Sequence, residues 1–304
     1  MSRIDSSITS APSAAPDWLV DLSSAKYRSG FFISDKEFAI QHTHRKADVL
    51  FVTFDNLSNA RDPLRVRDPW GYGFAAKSEW SHLGVLSFRP NWFRNDHLFE
   101  QLQRLARDDL FKRYRRVVFA GTSMGGYAAC AFASLAPGCQ VIAYSPQSTL
   151  SPEIAPWDER YRSGSQADWS GPYADAATEI GAARRLWLLY DPGVPEDLRH
   201  AKRLDGPNVT HLRTRYAGHK TAWFMRHAGI LSSFTREVVA GTMTSTRFHE
   251  LYRVSRKLRV YEAAFLQHVI ENGTLASKHR MLRLLRTQDR PNMVLDLERH
   301  LALT

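Results

Sequence analysis

The length, composition and charge of the chain exclude several classes of protein before any motif is considered. The chain has 304 residues, of which 43% are hydrophobic and 24% charged, so it can bury a sizeable core and is not a disordered or low-complexity protein. Its 41 Lys and Arg exceed its 31 Asp and Glu by ten, and residues 242–304 hold eleven of the basic and six of the acidic residues. No nucleic-acid-binding motif accompanies this excess, so we interpret it as a solvated basic face and expect no nucleic-acid partner.

Three features of the sequence indicate where in the cell the protein is found: its N-terminus, its apolar runs and its cysteines. Residues 1–25 predict a flexible leader, and its Ser-, Ala- and Pro-rich start lacks the apolar stretch of a secretory signal. Apolar runs such as residues 49–52 are far shorter than the roughly 20 residues of a membrane-spanning helix. Cys130 and Cys139 supply neither a disulfide framework nor a four-thiolate zinc site. We therefore predict a cytoplasmic protein without a membrane span.

Short apolar segments alternate with amphipathic segments from Phe31 to about residue 240, which is typical of an α/β protein with a mostly parallel sheet. The predicted strands are residues 31–33, 37–41, 49–54, 83–88, 117–120, 141–144, 186–190 and 209–216. The predicted helices are residues 95–110, 124–135, 196–204 and a helix from about Thr221. Residues 147–176 interrupt the alternation with aromatic residues among Ser, Gly, Pro and charges.

The last part of the chain has a different, helical pattern. Apolar residues from Leu251 to Val269 follow three-four spacing, and residues 275–285 and 293–303 predict two shorter helices. We expect a basic C-terminal helical extension over residues 242–304. Its apolar stripe fits packing either on the rest of the chain or on a second copy, so a homo-oligomer stays open.

The motif with the clearest chemical meaning is Gly-x-Ser-x-Gly at residues 121–125, between a buried strand and an alanine-rich helix. A serine in a sharp strand-to-helix turn exposes its hydroxyl at the edge of the sheet. Side chains two positions before and after that serine collide with the neighbouring elements, which explains Gly121 and Gly125. The pattern predicts that Ser123 is a nucleophile.

On these residues the chain resembles the α/β-hydrolase superfamily, of the serine esterase or acyltransferase type, over roughly residues 31–240. The resemblance implies a mostly parallel central sheet flanked by helices over residues 26–241, with a short lid at about residues 147–176. It also implies catalytic groups in the chain order Ser, then Asp or Glu, then His.

His219 and Asp191 are the predicted partners of Ser123. Both follow predicted strands at the carboxyl edge of the sheet, where the sites of open parallel sheets assemble. Gly218 gives the loop freedom to bring the imidazole back over the serine. Asp197, in the first turn of the next helix, is the alternative acid, although a carboxylate there also favours the helix dipole without any catalytic role.

The resemblance further implies an oxyanion hole made of two N–H groups. One is the amide of Met124, which follows the nucleophile. The other comes from the loop after the strand at residues 49–54, near Asn56. The glycine-rich form of that loop found in the family is replaced here by Asp55-Asn56-Leu57.

Aromatic and charged residues near this edge suggest a substrate-binding surface. Trp92, Arg94, Trp157 and Trp169 suit a sugar or an amphipathic ester, although the same aromatics also suit the closing of a core under an irregular loop. His42 and His44 share one side of a predicted strand, but no third ligand stands at a suggestive spacing, so we expect no metal.

The predicted function is hydrolysis of a carboxylic ester, from a small molecule or a glycan, through an acyl-enzyme on Ser123 and without a cofactor. Two alternatives stay open. An acyltransferase uses the same residues and passes the acyl group, such as acetyl, to a sugar or another hydroxyl. A non-catalytic binding or scaffold protein keeps the fold and uses its basic helices.

Overall fold

A computed structural model describes residues 15–23, 30–45 and 48–303, and a single sheet of eight strands lies within these ranges. The strands are β1 (Phe31–Ser34), β2 (Phe38–Thr43), β3 (Val49–Phe54), β4 (Ser81–Ser87), β5 (Arg116–Thr122), β6 (Gln140–Tyr144), β7 (Arg185–Tyr190) and β8 (Val209–Arg213). Seven of them begin and end within two residues of a predicted strand. β8 is three residues shorter than predicted, because the chain turns at Tyr216, whose φ is 68°.

The strand order is β1-β2-β4-β3-β5-β6-β7-β8. β2 pairs antiparallel with both β1 and β4, while β3 to β8 are parallel. This order and the helices on both faces confirm the predicted α/β-hydrolase fold. Continuous burial of strands such as β3 explains why their sequences are unbroken apolar runs, because parallel strands are covered on both faces.

Helices connect the strands and cover the sheet. Those before β6 are α1 (Asp17–Ser23), α2 (Leu57–Ala60), α3 (Tyr72–Lys77), α4 (Asp96–Arg107) and α5 (Met124–Ala131). Those between β6 and β8 are α6 (Arg162–Ser165), α7 (Ala176–Glu179) and α8 (Pro195–Arg203). After β8 come α9 (Thr221–His227), α10 (Leu231–Ala240), α11 (Ser245–Tyr252), α12 (Arg259–Asn272), α13 (Leu275–Thr287) and α14 (Pro291–Leu303).

The segment predicted to be a flexible leader contains a docked helix, α1. Trp18 of this helix is buried, stacks on Phe32 with ring centroids 4.6 Å apart, and donates its indole N–H to the carbonyl of Arg67. A helix of seven residues around a single buried tryptophan gives little periodic signal, which is why the sequence pattern missed it. Residues 1–14 and 24–25 of the predicted leader lie outside the described residues.

The two last C-terminal helices form close to their predicted ranges, but the predicted helical stretch from Leu251 to Val269 is divided between α11 and α12 by a 3-10 turn at Arg253–Lys257. α12, α13 and α14 share a small apolar core of their own, which consists of Leu266, Val269, Met281, Leu285 and Leu297. Tyr261 and Phe265 of α12 also pack against Tyr216, in the loop that leads to His219. None of the helices among the described residues combines the length and the apolar character that a bilayer crossing requires.

Candidate active site

Ser123 lies at the turn between β5 and α5 in a strained backbone conformation, with φ 52° and ψ −117°. Its N–H donates to the carbonyl of Tyr144 at 2.8 Å, which holds the turn against β6. A Cβ on Gly121 would lie 2.1 Å from the carbonyl oxygen of Gly125, and one on Gly125 would lie 2.5 Å from the carbonyl oxygen of Phe54. Only glycine at both positions lets the turn form beside β3.

His219 lies over the serine. Its Nε2 is 2.9 Å from Ser123 Oγ, although the two residues are 96 positions apart in sequence. Gly218, with φ +62°, supplies the backbone turn that directs the ring back over the sheet edge. The two residues that the sequence placed at this edge therefore come within hydrogen-bonding distance.

The carboxylate at the imidazole belongs to Asp197 and not to Asp191. Nδ1 of His219 lies 2.8 and 2.9 Å from the two carboxylate oxygens of Asp197, which is buried in the first turn of α8. The side chain of Asp191 instead accepts the N–H groups of Gly193 and Gly218, at 2.9 and 2.8 Å. Asp191 folds back onto its own turn and holds the loop that carries His219, so the assignment of Asp191 as the partner of the imidazole is corrected to Asp197.

Asp197 also belongs to a hydrogen-bonded network that continues through Arg160 to Asp158 and His200. Arg160 donates to Asp197 at 2.9 Å and to both oxygens of Asp158 at 2.8 Å, and Asp158 is also 2.9 Å from Nε2 of His200. Burial of Asp158 opposes its ionisation, but the hydrogen bonds from Arg160 and His200 prevail and hold its pKa well below the usual range. Burial lowers the pKa of His200, whose Nδ1 accepts the N–H of Ser148. Arg160 thereby links residues 147–176, called the insertion below, to Asp197.

Tyr161 reaches the same imidazole from the insertion. Its hydroxyl lies 2.9 Å from His219 Nε2, the nitrogen that also faces Ser123. Burial raises the pKa of Tyr161 to about 12, so the hydroxyl keeps its proton at neutral pH. With Nδ1–H directed at Asp197, Nε2 is an acceptor with one lone pair, and two hydroxyl groups compete for it.

Gln147 contacts the serine from another direction. Its side-chain amide nitrogen is 3.5 Å from Ser123 Oγ, and its amide oxygen accepts the indole N–H of Trp92 at 2.9 Å. Trp92 was predicted to contact substrate, but it is fully buried. The indole N–H of Trp92 instead orients the side-chain amide of Gln147 toward Ser123.

The two predicted oxyanion donors differ in whether their N–H groups already have a partner. Met124 is the first residue of α5, where a helix leaves its N–H without an intrahelical partner, and it follows Ser123 directly. Asn56 lines the cleft beside Ser123, but its N–H donates to Asn59 Oδ1 at 3.3 Å and its own Oδ1 accepts from Ser58 and Asn59. The loop after β3 thus uses Asn56 to cap α2, so its N–H is already engaged.

The other three predicted substrate residues hold the insertion together. Arg94 is buried and donates to the carbonyls of Asp168, Ser170 and Pro172 at 2.6 to 2.9 Å. Trp169 donates to the carbonyl of Gly164 and packs at 5.5 Å from the guanidinium of Arg94. Trp157 packs on the ring of His200, 4.4 Å away. None of the three lines the cleft at Ser123, so they are structural supports of the insertion, as the core-closing alternative expected.

The cleft above Ser123 has a volume of about 500 Å³ and different walls from those predicted. Trp70, Trp223 and Tyr161 provide its aromatic surface, and Lys220 and Arg226 provide its charged groups. Trp70 comes from the irregular stretch between β3 and β4, whose position at the site depends on the path of a long connection. Lys220 and Trp223 follow His219 closely, and that proximity in sequence was the signal available for them.

The two histidines considered for a metal serve a structural contact. Nε2 of His42 and Nδ1 of His44 both lie within 3.1 Å of the hydroxyl of Tyr114. Within residues 15–23, 30–45 and 48–303, no group of three or more His, Cys, Asp or Glu is arranged to hold a metal ion.

Comparison with known proteins gives one family and a set of distant structures. The model of the Esterase family matches residues 86–223, a range that contains Ser123, Asp197 and His219. The capsule O-acetyltransferase of Neisseria meningitidis serogroup A is similar, with 12% identity over 69% of this chain and 94% of that chain and a TM-score of 0.46. Carboxyl esterase 2 of the fungus Tuber melanosporum has 13% identity over 82% and 90% of the two chains and a TM-score of 0.45. A search of curated sequences gave no match.

Proposed function

We propose, from the membership of this chain in the α/β-hydrolase superfamily, that it is a serine esterase that cleaves a carboxylic ester through an acyl-enzyme on Ser123. The observation that carries the proposal is the relay from Ser123 to His219 to Asp197, with 2.9 and 2.8 Å between the facing atoms. We assign these residues as nucleophile, general base and orienting acid.

The reaction follows from this geometry. Ser123 Oγ attacks the acyl carbon while its proton passes to His219 Nε2, and the carbonyl electrons move to the oxygen. Asp197 accepts the Nδ1–H of the imidazole, which fixes the tautomer and stabilises the imidazolium. The tetrahedral intermediate collapses, the C–O bond to the alcohol breaks, and the alcohol leaves with the proton from Nε2. Water then attacks the acyl-enzyme by the same steps and releases the acid.

The N–H of Met124 supports the negative oxygen of the tetrahedral intermediate, since it lies at the start of α5 beside the nucleophile. A second donor is needed for full stabilisation, and loss of one donor typically costs about 2.7–4 kcal/mol. We assign this role to the side-chain amide of Gln147, whose nitrogen lies 3.5 Å from Ser123 Oγ. It is fixed by Trp92 and is therefore preorganised.

Acyl transfer is the second candidate, because a second cavity of about 500 Å³ adjoins the cleft and shares Trp70, Arg226 and Leu231 with it. A bound hydroxyl acceptor there would replace water in the second half of the reaction. Product analysis with and without a sugar acceptor separates the two reactions.

The test of the proposal is covalent labelling and turnover of Ser123→Ala. We expect the wild-type protein to react with a fluorophosphonate probe and to hydrolyse 4-nitrophenyl acetate. Ser123→Ala should lose labelling and at least about a thousandfold of the rate with an unchanged melting temperature. Ser163→Ala, an exposed serine of α6, is the matched control and should keep both. Labelling of Ser123→Ala at the wild-type rate would contradict the assignment.

A further inference from the structure

Two cavities meet at Arg226. The cleft above Ser123 and its neighbour each measure about 500 Å³, and Trp70, Arg226 and Leu231 line both. The neighbouring cavity extends along α3 to Lys77, while the cleft itself extends to Lys220, the residue after His219. Arg226, on α9, is thus the wall between the reacting groups and a second space large enough for part of a substrate.

The charged groups of these two cavities all have one sign. Lys77, Lys220 and Arg226 line them, and no Asp or Glu of the described chain does so. The three side chains are exposed, and none forms an ion pair with a described carboxylate. A cleft lined by one sign of charge concentrates ligands of the opposite sign.

The carboxylates near the site are buried and engaged elsewhere, so none of them lines the two cavities as a partner for these cations. Asp55 is 2.6 Å from Arg67 on the inner side of the loop after β3. Asp197 contacts His219 and Arg160, and Asp191 accepts two backbone N–H groups. The charged side chains that line the cleft and its neighbour are therefore cations without an ion-pair partner among the described residues.

Aromatic surfaces accompany the cations. Trp70 and Trp223 line the cleft, and Phe74 lines the neighbouring cavity with Arg236 5.4 Å above its ring. Such surfaces contact the apolar faces of sugars or bases while the cations hold an anion. The arrangement suits a ligand with a ring system and a phosphate.

We propose that the substrate of this site is an ester or thioester whose alcohol or thiol portion carries a phosphate, bound by Arg226 where the two cavities meet, with Lys220 of the cleft and Lys77 of the neighbouring cavity as further positive charges. This inference rests on the proposed function, because it names the substrate class of the same site. A phosphate has nearly two negative charges and three acceptor oxygens, which match three cations better than the single charge of a carboxylate. The planar guanidinium of Arg226 binds two of those oxygens, and the lysines act as point charges.

A pair of matched esters tests the charge preference. 4-Acetoxyphenyl phosphate and 4-methoxyphenyl acetate have the same acyl group and ring, but only the first carries a phosphate. We expect the wild-type protein to have a kcat/KM for the phosphate ester that is on the order of tenfold higher at low salt, and the preference should fall as salt is added. A ratio of one or less would overturn the proposal.

Single substitutions identify which cations produce the preference for the phosphate ester. Arg226→Gln should lower the ratio of the two kcat/KM values several-fold, and Lys220→Gln should lower it less. Arg283→Gln, an exposed arginine of α13 far along the chain, removes the same charge and should leave the ratio unchanged. An unchanged ratio in both Arg226→Gln and Lys220→Gln, or an equal drop in Arg283→Gln, would overturn the proposal.

Binding to Ser123→Ala separates this inference from the proposed function. Tryptophan fluorescence should report binding of phenyl phosphate, since Trp70 and Trp223 line the cleft, and Arg226→Gln in the Ser123→Ala background should weaken it several-fold. Turnover of the neutral ester without phosphate binding would overturn the inference and leave the esterase proposal intact. Binding of phenyl phosphate to Ser123→Ala without turnover of any ester by the wild-type protein would support the phosphate site and overturn the esterase proposal.

The phosphate can belong to a sugar or to a thiol carrier. Two further pairs of substrates distinguish these two cases. O-acetyl glucose 6-phosphate is compared with O-acetyl glucose, and acetyl coenzyme A with S-acetyl-N-acetylcysteamine. A preference of about tenfold for the phosphorylated member of either pair supports the proposal and names the source. Equal rates within both pairs would count against it.

Discussion

Asp197 and Asp191 hold His219 in different ways. Asp197 contacts the imidazole itself, and its burial removes water that would compete for the Nδ1–H. Asp191 contacts only the backbone, through the N–H groups of Gly193 and Gly218. One carboxylate therefore holds the imidazole ring, and the other holds the loop that carries it.

This division predicts different effects for the two asparagine variants. Asp197→Asn should lower kcat for 4-nitrophenyl acetate by about 10³–10⁴-fold, because an amide no longer fixes the tautomer that accepts the serine proton. Asp191→Asn should lower kcat far less and should lower the free energy of unfolding by about 1–3 kcal/mol, because one backbone N–H loses its acceptor. Steady-state kinetics and chemical denaturation of both variants measure this. A larger loss of kcat in Asp191→Asn would reverse the assignment.

At the scale of elements, the insertion at residues 147–176 brings three side chains to the site: Gln147, Arg160 and Tyr161. Arg94 holds this insertion by three hydrogen bonds to its carbonyls, although Arg94 itself precedes α4. The insertion therefore supplies side chains to the candidate site. Its contact with His219 Nε2 competes with the contact that Ser123 makes with the same nitrogen.

Tyr161→Phe should raise the rate. In the resting site the protonated Tyr161 hydroxyl donates to Nε2 and competes with Ser123, and a hydrogen bond of this kind contributes about 0.5–1.5 kcal/mol. Its removal should raise kcat/KM for a small aryl ester, and the rate of fluorophosphonate labelling, by about two- to tenfold. Phe keeps the packing on Trp92, whose ring lies 5.0 Å away. A fall in both rates would mean that the hydroxyl assists the transition state instead.

The sequence was informative about this site where chemistry depends on local pattern. The turn at Ser123 is specified by two neighbouring glycines, and the β strands by continuous apolar runs, so both were predictable. Asp197, Gln147 and Trp70 were missed or ranked second because their positions depend on the tertiary path of loops and the insertion. Trp92 and Arg94 were misassigned for the opposite reason, since aromatic and cationic residues serve equally well in a core and in a binding surface.

At the scale of the whole molecule, the antiparallel edge of the sheet makes stability depend on pH. His42 on β2 and His82 on β4 are buried, and burial lowers their pKa values to about 4 and about 3, with nearby cationic groups such as Arg45 acting in the same direction. Below pH 6.5 the unfolded chain therefore binds more protons than the folded one. The stabilisation is fully present above pH 6.5 and is lost as the pH falls toward the folded pKa values.

His42→Phe should weaken this acid sensitivity. Because burial lowers the pKa of His42 from 6.5 to about 4, this residue accounts for about 2 kcal/mol of the unfolding free energy lost between pH 7 and pH 4.5, and the variant should remove that part while His82 keeps the rest. Phe suits the position, because Phe31 stacks on the His42 ring at 5.0 Å and Nδ1 has no partner among the described residues. Tyr114 keeps its contact with His44. Urea denaturation at both pH values measures the difference, with His279→Phe on the exposed surface of α13 as control. An undiminished pH dependence in His42→Phe would show that acid destabilisation arises elsewhere.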